Sequence, residues 1–375
     1  MDQMDVVTAF LYGNLEEEIY MKQTVGFEVK VKESLVCRLL KSLYGLKQAP
    51  RQWNMLFDEF MKAQGFLRSV YDPCVYMKKV NDETFNLIIL VLYVDDMLIL
   101  AKNQSDVDEC KSKLKSAFKM KDMGESKRIL GMEIHRDHEQ KRLWLRQGKY
   151  VRCILDRFNM IDSKGVWTPL APHFKLSAAQ CPTDVVEKGK MSCVPYEQAV
   201  GSLMYLMVCT RPDIAFAMGK VSRISIKGDL QLGTCLHLVV EAQRKVHSEA
   251  VKWIMRYLKS TLDYDSLFDG ILYNAKSLFD YVDGDYGQDL DKRRSRIGYV
   301  FTFGGGSINC RSTSKKCVAQ STTEAKYVAA AKAAKEVIWL DRLIMEMELK
   351  QGVVLFIVIA RALYIWLQTR SWIVE

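Results

Sequence analysis

The chain has 375 residues, of which 49% are hydrophobic and 26% charged, so it can form about two or three folded domains and is too apolar for wholesale disorder. Its net charge of +9 suits a polyanionic partner, and its ten cysteines include no CxxC pair of the kind found in common zinc sites. Residues 1–10 carry no basic leader segment, and the apolar run 353–367 is shorter than the roughly 20 residues of a membrane span. We therefore expect no membrane contact, and a buried strand or helix in that run.

The first segments are predicted to combine short strands with one amphipathic helix. Residues 4–8 have the pattern of a strand. A helix is predicted over residues 51–64, because Pro50 suits a helix start and Gly65 a helix end. Trp53 lies on the apolar face of that helix.

The run 87–100, LIILVLYVDDMLIL, is apolar except for Asp95 and Asp96. Its Leu, Ile and Val residues predict a β-hairpin whose turn is the Asp95-Asp96 pair. Neighbouring carboxylates repel each other and are costly to bury, and a divalent cation would relieve both effects. The alternative is a surface turn that happens to contain two aspartates.

The segment after this hairpin is predicted to be a helix over residues 104–120, begun by a capping box of Ser105 and Asp108. Val107, Leu114 and Phe118 fall on one apolar stripe, and the lysines at 111, 113 and 115 are expected mostly elsewhere on the helix. Strands are predicted around residues 130–134 and 142–146.

Helices and loops are predicted to follow from about residue 150. The helical segments are 196–208, 213–223 and 248–260. The last of them aligns three basic residues on one side: Lys252, Arg256 and Lys259. This basic face suits either solvent or a phosphate backbone.

The C-terminal region is predicted to form a small α/β unit. Strands are expected at 278–283, 297–303 and 307–311, followed by an alanine-rich helix over 322–348.

Several motifs in order carry a resemblance to a known family. MDVVTAFLYGNLEEEIYM, KSLYGLKQAPRQW and YVDDM are similar to the reverse transcriptase of copia-type retrotransposons, and the stretch from Asp280 to Leu340 resembles that family's terminal ribonuclease H domain. The resemblance implies an α/β (α+β) chain in three parts. These are a palm with an antiparallel sheet over 1–149, a helical thumb or connection region over 150–271, and a ribonuclease H-like α/β domain over 272–375.

The resemblance also implies a polymerase metal site. Asp5, Asp95 and Asp96 match the family's metal-binding aspartates, with Asp96 the less essential, and Val6 would offer its carbonyl oxygen. Two Mg²⁺ ions are implied, with Mn²⁺ as a substitute. Such ions, about 3.5–4 Å apart, serve the primer hydroxyl and the leaving pyrophosphate.

The nucleotide pocket is implied by three further positions. Phe10 matches the gate that excludes a 2′ hydroxyl, although a core phenylalanine would also fit the pattern. Tyr44 and Gly45 match the pocket floor, where a glycine lets the backbone approach closely. Residues 130–134 match the turn that grips the primer end, or are an ordinary sheet edge.

In the terminal domain, Asp283 and Glu324 match the first two ribonuclease H metal ligands, and Asp285 is a weaker candidate. Glu324 also suits a helix N-terminus for electrostatic reasons alone. Val358 stands where the resemblance places a third aspartate, and valine offers no ligand atom. We therefore expect hybrid cleavage to be absent or very weak.

The resemblance implies an RNA-directed DNA polymerase with a ribonuclease H-like domain. Its partners would be an RNA template, a DNA primer, an RNA–DNA hybrid, deoxynucleoside triphosphates and other Gag and Pol products, in a cytoplasmic particle or the nucleus. Besides Val358, two features depart from the family: the upstream fingers region is not seen, and residues 224–246 form an atypical insert. They keep two alternatives open, a catalytically inactive remnant and a non-enzymatic nucleic-acid-binding module.

Overall fold

The chain is described from a computed structural model, which divides into two compact units. The first contains Met1–Ser126 and Arg342–Leu349, and the second contains Lys127–Asp341 and Lys350–Glu375. Both combine helices with largely antiparallel sheets, as the α/β prediction requires. No helix in the described part of the chain is both long and apolar enough to cross a membrane. The structure describes residues 1–29, 34–80, 86–177, 180, 195–222, 245–271, 278–315 and 318–349, and the backbone of 355–358.

The first unit is built on a six-stranded sheet in the order β4-β5-β6-β7-β1-β8. Its strands are β1 (Asp2–Val6), β4 (Leu67–Arg68), β5 (Val75–Lys79), β6 (Leu87–Tyr93), β7 (Asp96–Leu100) and β8 (Met120–Glu125). Strands β2 (Tyr20–Lys22) and β3 (Val36–Arg38) form a separate hairpin. The first strand of the chain thus lies inside the sheet, antiparallel to β7 on one side and to β8 on the other.

Two helices supply apolar side chains to the core of this unit: α1 (Ala49–Ala63) and α2 (Gln104–Ala117). Phe57 of α1 and Leu114 of α2 are buried with Met4 and Ile99 of the sheet. The predicted end of α1 is confirmed, because Gly65 follows it with φ +80°.

Helix α2 starts at the predicted residue, but its cap differs from the prediction and it ends at Ala117 instead of residue 120. The helix begins at Gln104, so Asn103 takes the position before it and its side-chain amide donates to Asp106 at 3.2 Å. The capping box of Ser105 and Asp108 is therefore wrong, because both residues already lie inside the helix.

Lys111 is buried, although the lysines of this helix are expected mostly outside its apolar stripe. Its ammonium group contacts the carboxylates of Asp2 on β1 and, at 3.0 Å, of Asp122 on β8. Burial alone would raise the pKa of Asp2, but the Lys111 ammonium and the Gln104 amide hold it below its usual value. This cluster ties α2 to two adjacent strands, and the helical pattern could not show partners on distant strands.

The second unit contains a four-stranded sheet and a helical core. The sheet has the order β12-β11-β10-β9, with β9 (Arg128–Ile129), β10 (Met132–Asp137), β11 (Arg142–Arg146) and β12 (Ser266–Asp269). The helices are α3 (Gly148–Arg157), α4 (Tyr196–Cys209), α5 (Ala215–Val221) and α6 (Lys245–Ser260). Ile154, Leu203 and Ile254 are buried where these helices pack together.

The basic face of α6 is partly occupied by protein contacts. Arg256 donates to the carbonyl of Lys164 at 2.5 Å, and Lys259 donates to that of Ser163 at 2.6 Å. Lys252 is exposed. Two of the three side chains therefore hold a loop, a role that neither the solvent nor the phosphate interpretation included.

The second unit also contains a sheet in the order β15-β14-β13-β16 and residues 322–341 of the long helix α7 (Thr322–Glu346). Strands β13 (Phe279–Gly284), β14 (Arg296–Phe303) and β15 (Gly306–Ser314) are antiparallel, and β16 (Leu355–Val358) runs parallel to β13. The apolar run 353–367 thus contributes a strand, which is one of the two structures expected for it. Its remainder and most of the atypical insert, residues 223–244, lie outside the described residues.

Candidate active site

The aspartate pair is carried by the predicted hairpin, formed by β6 and β7. Tyr93 pairs with Asp96, so the two turn residues are Val94 and Asp95. The predicted turn was one residue too late, and Asp96 is the first residue of β7. The two carboxylates therefore have different backbone settings, one in the turn and one in the strand.

Val94 has a left-handed backbone, with φ +59°, and Asp95 does not share it. A two-residue hairpin turn with positive φ only at its first position is typically a type II′ turn, which favours glycine there. A β-branched residue in this conformation costs roughly 1–2 kcal/mol. The carbonyl group of Val94 accepts a hydrogen bond from the indole N–H of Trp53 at 2.6 Å.

Asp5 lies opposite Asp96, because β1 and β7 are adjacent and this pair is in register. The backbone N–H of Val6 donates to the carbonyl of Asp95 at 2.9 Å, which attaches the turn to the end of β1. Asp5 and the Asp95-Asp96 pair, which are distant in sequence, thus share one end of the sheet. Burial raises the pKa of Asp5, the charges of Asp95 and Asp96 raise it further, and Lys121 opposes them.

Gln3 is a site residue that the sequence argument missed. Its side-chain amide donates to Oδ1 of Asp96 at 3.1 Å. Strand alternation gave a usable signal, since residues 3 and 5 point to the same face of β1. The contact engages one oxygen of Asp96 with protein, which distinguishes Asp96 from its neighbours.

The three carboxylates suit a divalent cation by their chemistry, since Mg²⁺ prefers hard oxygen ligands. Burial and, after it, the neighbouring carboxylate charges raise the pKa of Asp5, and a bound cation would offset both effects. Within the described residues, however, no group of three or more His, Cys, Asp and Glu side chains is gathered closely enough to hold a metal ion. The structure brings together a donor set at one strand end and does not show a formed metal centre.

Phe10 and Tyr44 are brought into contact, with ring centroids 4.8 Å apart. The hydroxyl of Ser42 donates to the carbonyl of Phe10, which joins the segment after β1 to the loop before α1. Gly45 follows with φ +96°, and a Cβ there would meet nothing within 4 Å. Glycine is therefore favoured at this position by backbone conformation and not by crowding.

Of residues 130–134, Leu130 and Gly131 form a tight turn between β9 and β10, and the other three begin β10. Leu130 and Gly131 both have positive φ, at 47° and 72°. The hydroxyl of Tyr205 donates to the Leu130 carbonyl, and the Glu133 carboxylate contacts Lys149 at 2.6 Å. The turn is therefore held from two helices, α4 and α3.

In the terminal sheet, Asp283 is exposed near the end of β13, and its Oδ1 accepts from the Gly284 N–H at 2.8 Å. A Cβ on Gly284 would lie 2.7 Å from the carbonyl oxygen of Ala325, so β13 and the first turn of α7 approach closely. Asp283 directly precedes Gly284 in sequence, and Glu324 directly precedes Ala325. Val358 pairs with Val282 in the parallel register, one position before Asp283.

Glu324 makes the contacts of a helix cap. Its N–H donates to the Ser321 hydroxyl at 3.1 Å, and its carboxylate accepts from the Gln320 N–H at 2.6 Å. These contacts support the capping interpretation of this residue without excluding a ligand role. Burial raises the pKa of Asp285, whose Oδ1 accepts from the Arg296 N–H at 2.6 Å.

Comparison with known proteins adds an independent line of argument. Residues 1–172 match a family described as reverse transcriptase (RNA-dependent DNA polymerase). The chain is 52% identical over 351 residues, 94% of its length, to a retrovirus-related Pol polyprotein from transposon TNT 1-94 of Nicotiana tabacum. It is 34% identical over 353 residues to the Pol polyprotein from transposon RE1 of Arabidopsis thaliana.

The chain spans only 25% and 22% of the length of these two relatives. A putative transposon Ty5-1 protein of Saccharomyces cerevisiae is 29% identical over 339 residues and is covered over 100% of its length. Similarity to transposon proteins therefore extends over most of this chain, beyond the residues that match the polymerase family.

Proposed function

We propose that this chain, which belongs to the reverse transcriptase (RNA-dependent DNA polymerase) family, is the polymerase region of a copia-type retrotransposon Pol polyprotein. The observation that carries the proposal is the pairing of Asp5 with Asp96 on adjacent strands, beside the turn that carries Asp95. The reaction is nucleotidyl transfer from a deoxynucleoside triphosphate to a primer 3′ hydroxyl, directed by an RNA template.

Asp5, Asp95 and the carbonyl of Val6 would hold two Mg²⁺ ions, or Mn²⁺ in their place. Bound ions of this kind supply charge stabilisation at the primer hydroxyl and at the leaving pyrophosphate. The fold positions the two carboxylates, since Asp5 is held in strand β1 and Asp95 in the hairpin turn. Asp96 acts mainly through its contact with Gln3.

Phe10, Tyr44 and Gly45 would form the nucleotide pocket. The Phe10 ring packs against Tyr44, which holds it in one place. A bulky ring held beside the sugar leaves no room for a 2′ hydroxyl, so deoxynucleotides are favoured. The positive net charge suits a primer–template duplex, and binding should weaken as salt rises.

Strands β13–β16 with helix α7 would form a ribonuclease H-like domain, with Asp283 and Glu324 as its metal ligands. The parallel register of β16 beside β13 supports the alignment in which Val358 occupies the position of a third ligand. We expect hybrid cleavage to be absent or very weak, and Val358→Asp to raise it. Strong Mg²⁺-dependent cleavage of an RNA–DNA hybrid by the unchanged chain would contradict this assignment.

Primer extension on an RNA template tests the polymerase proposal. The full chain with Mg²⁺ should incorporate deoxynucleotides, and Asp95→Asn should abolish incorporation. Asp156→Asn is a matched control, because Asp156 is an exposed residue of α3. A wild-type chain that folds and binds duplex but does not extend the primer would favour the inactive remnant or the binding module.

A further inference from the structure

The turn that carries Asp95 is held on both of its peptide carbonyls. The Val6 N–H binds the Asp95 carbonyl at 2.9 Å, and the Trp53 indole N–H binds the Val94 carbonyl at 2.6 Å. The first contact comes from the neighbouring strand, as expected for a sheet. The second comes from α1, which is not part of the sheet, so it needs a separate explanation.

Trp53 is well placed to be a rigid donor. Its side chain is only 2% exposed, and its ring packs against Phe57 and Phe118 with centroids 5.5 and 5.3 Å away. These neighbours restrict the rotation of the indole and therefore fix the direction of its N–H. The donor is thus pre-oriented before the turn presents its carbonyl.

Val94 needs such support, because valine does not favour the left-handed region on its own. Rotation of the Val94–Asp95 peptide would break the indole contact and turn the Asp95 backbone with it. Since the Cα of Asp95 follows this peptide directly, the direction of the Asp95 carboxylate depends on the peptide's orientation.

We infer that Trp53 is a positioning residue, which fixes the Val94 carbonyl through its indole N–H and thereby sets the Asp95 carboxylate for a divalent cation. The inference rests on the proposed function for its cation, and it assigns Trp53 a role beyond core packing. The same helix follows the loop of Tyr44 and Gly45, so one element would support both the nucleotide pocket and the acidic turn.

The test compares Trp53→Phe with Trp253→Phe in the full chain. Both changes keep an aromatic ring and remove one indole N–H, and the Trp253 N–H also donates to a backbone carbonyl, that of Thr168 at 2.9 Å. Binding of Mn²⁺ is measured by electron paramagnetic resonance without nucleic acid. We expect Trp53→Phe to weaken Mn²⁺ binding about tenfold, the effect of one lost hydrogen bond, and Trp253→Phe to leave it unchanged.

Rescue by Val94→Gly separates positioning from stability. Glycine adopts positive φ without strain, so adding Val94→Gly to Trp53→Phe should restore most of the Mn²⁺ affinity. If Trp53→Phe does not fold, nitrogen-15 NMR of the wild-type indole groups replaces it. The Trp53 N–H resonance should then shift on Mg²⁺ addition, and that of Trp253 should not.

The outcomes distinguish this inference from the proposed function. Unchanged Mn²⁺ affinity in Trp53→Phe, or no rescue by Val94→Gly, would overturn the positioning role even if the wild-type chain extends primers. A chain that binds Mn²⁺ in a Trp53-dependent way but extends no primer would keep the positioning role and refute the polymerase activity.

Discussion

Asp280 gives a sharp prediction about stability and pH. It lies in β13 opposite Phe301, both side chains are completely buried, and neither carboxylate oxygen has a hydrogen-bond partner among the described residues. Burial raises the pKa of Asp280 from 3.8 to about 7. Asp280→Asn keeps the shape of the side chain and removes its charge, so it isolates the effect of ionisation.

The expected magnitude follows from this shift. Roughly three pKa units correspond to about 4 kcal/mol of free energy of unfolding. Because the pKa is higher in the folded state, the stabilisation is complete below about pH 4 and is lost as the pH rises toward about 7. Between pH 5 and pH 7.5 the free energy of unfolding of the wild-type second unit should fall by about 2–3 kcal/mol, and that of Asp280→Asn should fall much less.

Urea unfolding of the full chain at several pH values, followed by hydrogen exchange of β13 and β14, measures this difference. Asp289→Asn is the control, because Asp289 is also buried but accepts N–H groups of Asp291 and Lys292. The control should lower stability without removing the pH slope. Equal slopes in the wild type and Asp280→Asn would refute the reasoning, since the buried charge would then not be the cause.

Two further predictions concern the first unit. Lys111→Met should lower the free energy of unfolding of this unit by about 3 kcal/mol or more, because Asp2 and Asp122 would lose their shared cation. Urea unfolding measures this change. Lys113→Met, which removes an exposed ion pair with Glu109, is the control and should have little effect. Phe10→Ala should raise ribonucleotide incorporation about 10- to 100-fold relative to deoxynucleotides in primer extension, whereas the exposed Phe27→Ala should not. Unchanged sugar selectivity in Phe10→Ala would assign its ring to packing alone.

Local patterns predicted the elements around the site but not the contacts that complete it. The apolar arms of residues 87–100 predicted the hairpin, because β-branched residues report directly on strand structure. The turn was misplaced by one residue, since a valine with positive φ contradicts the usual turn preferences and is held by Trp53 from another element. A donor from another element leaves no local pattern near Val94.

The same limit applies to charged residues. Lys111 lies four residues after Val107 and three before Leu114, on the buried face of α2, and only the partners Asp2 and Asp122 on separate strands explain how its charge is accommodated there. Asp5 could be placed beside Asp95 only through the family resemblance, because pairing between distant strands is not encoded in local periodicity. Gln3, by contrast, was accessible from the alternation of β1.

The interior position of β1 has a consequence for how the first unit assembles. Asp2 pairs with Ile99 on one side and with Glu125 on the other, so the partners of β1 lie 97 and 123 residues further along the chain. Sheets with such distant pairings fold slowly, because the long loop must close before the contacts stabilise it. Until β1 inserts, β7 and β8 each present an open edge on which another chain could add a strand. Self-association during folding is therefore the characteristic hazard of a sheet whose interior strand is distant in sequence from both of its neighbours.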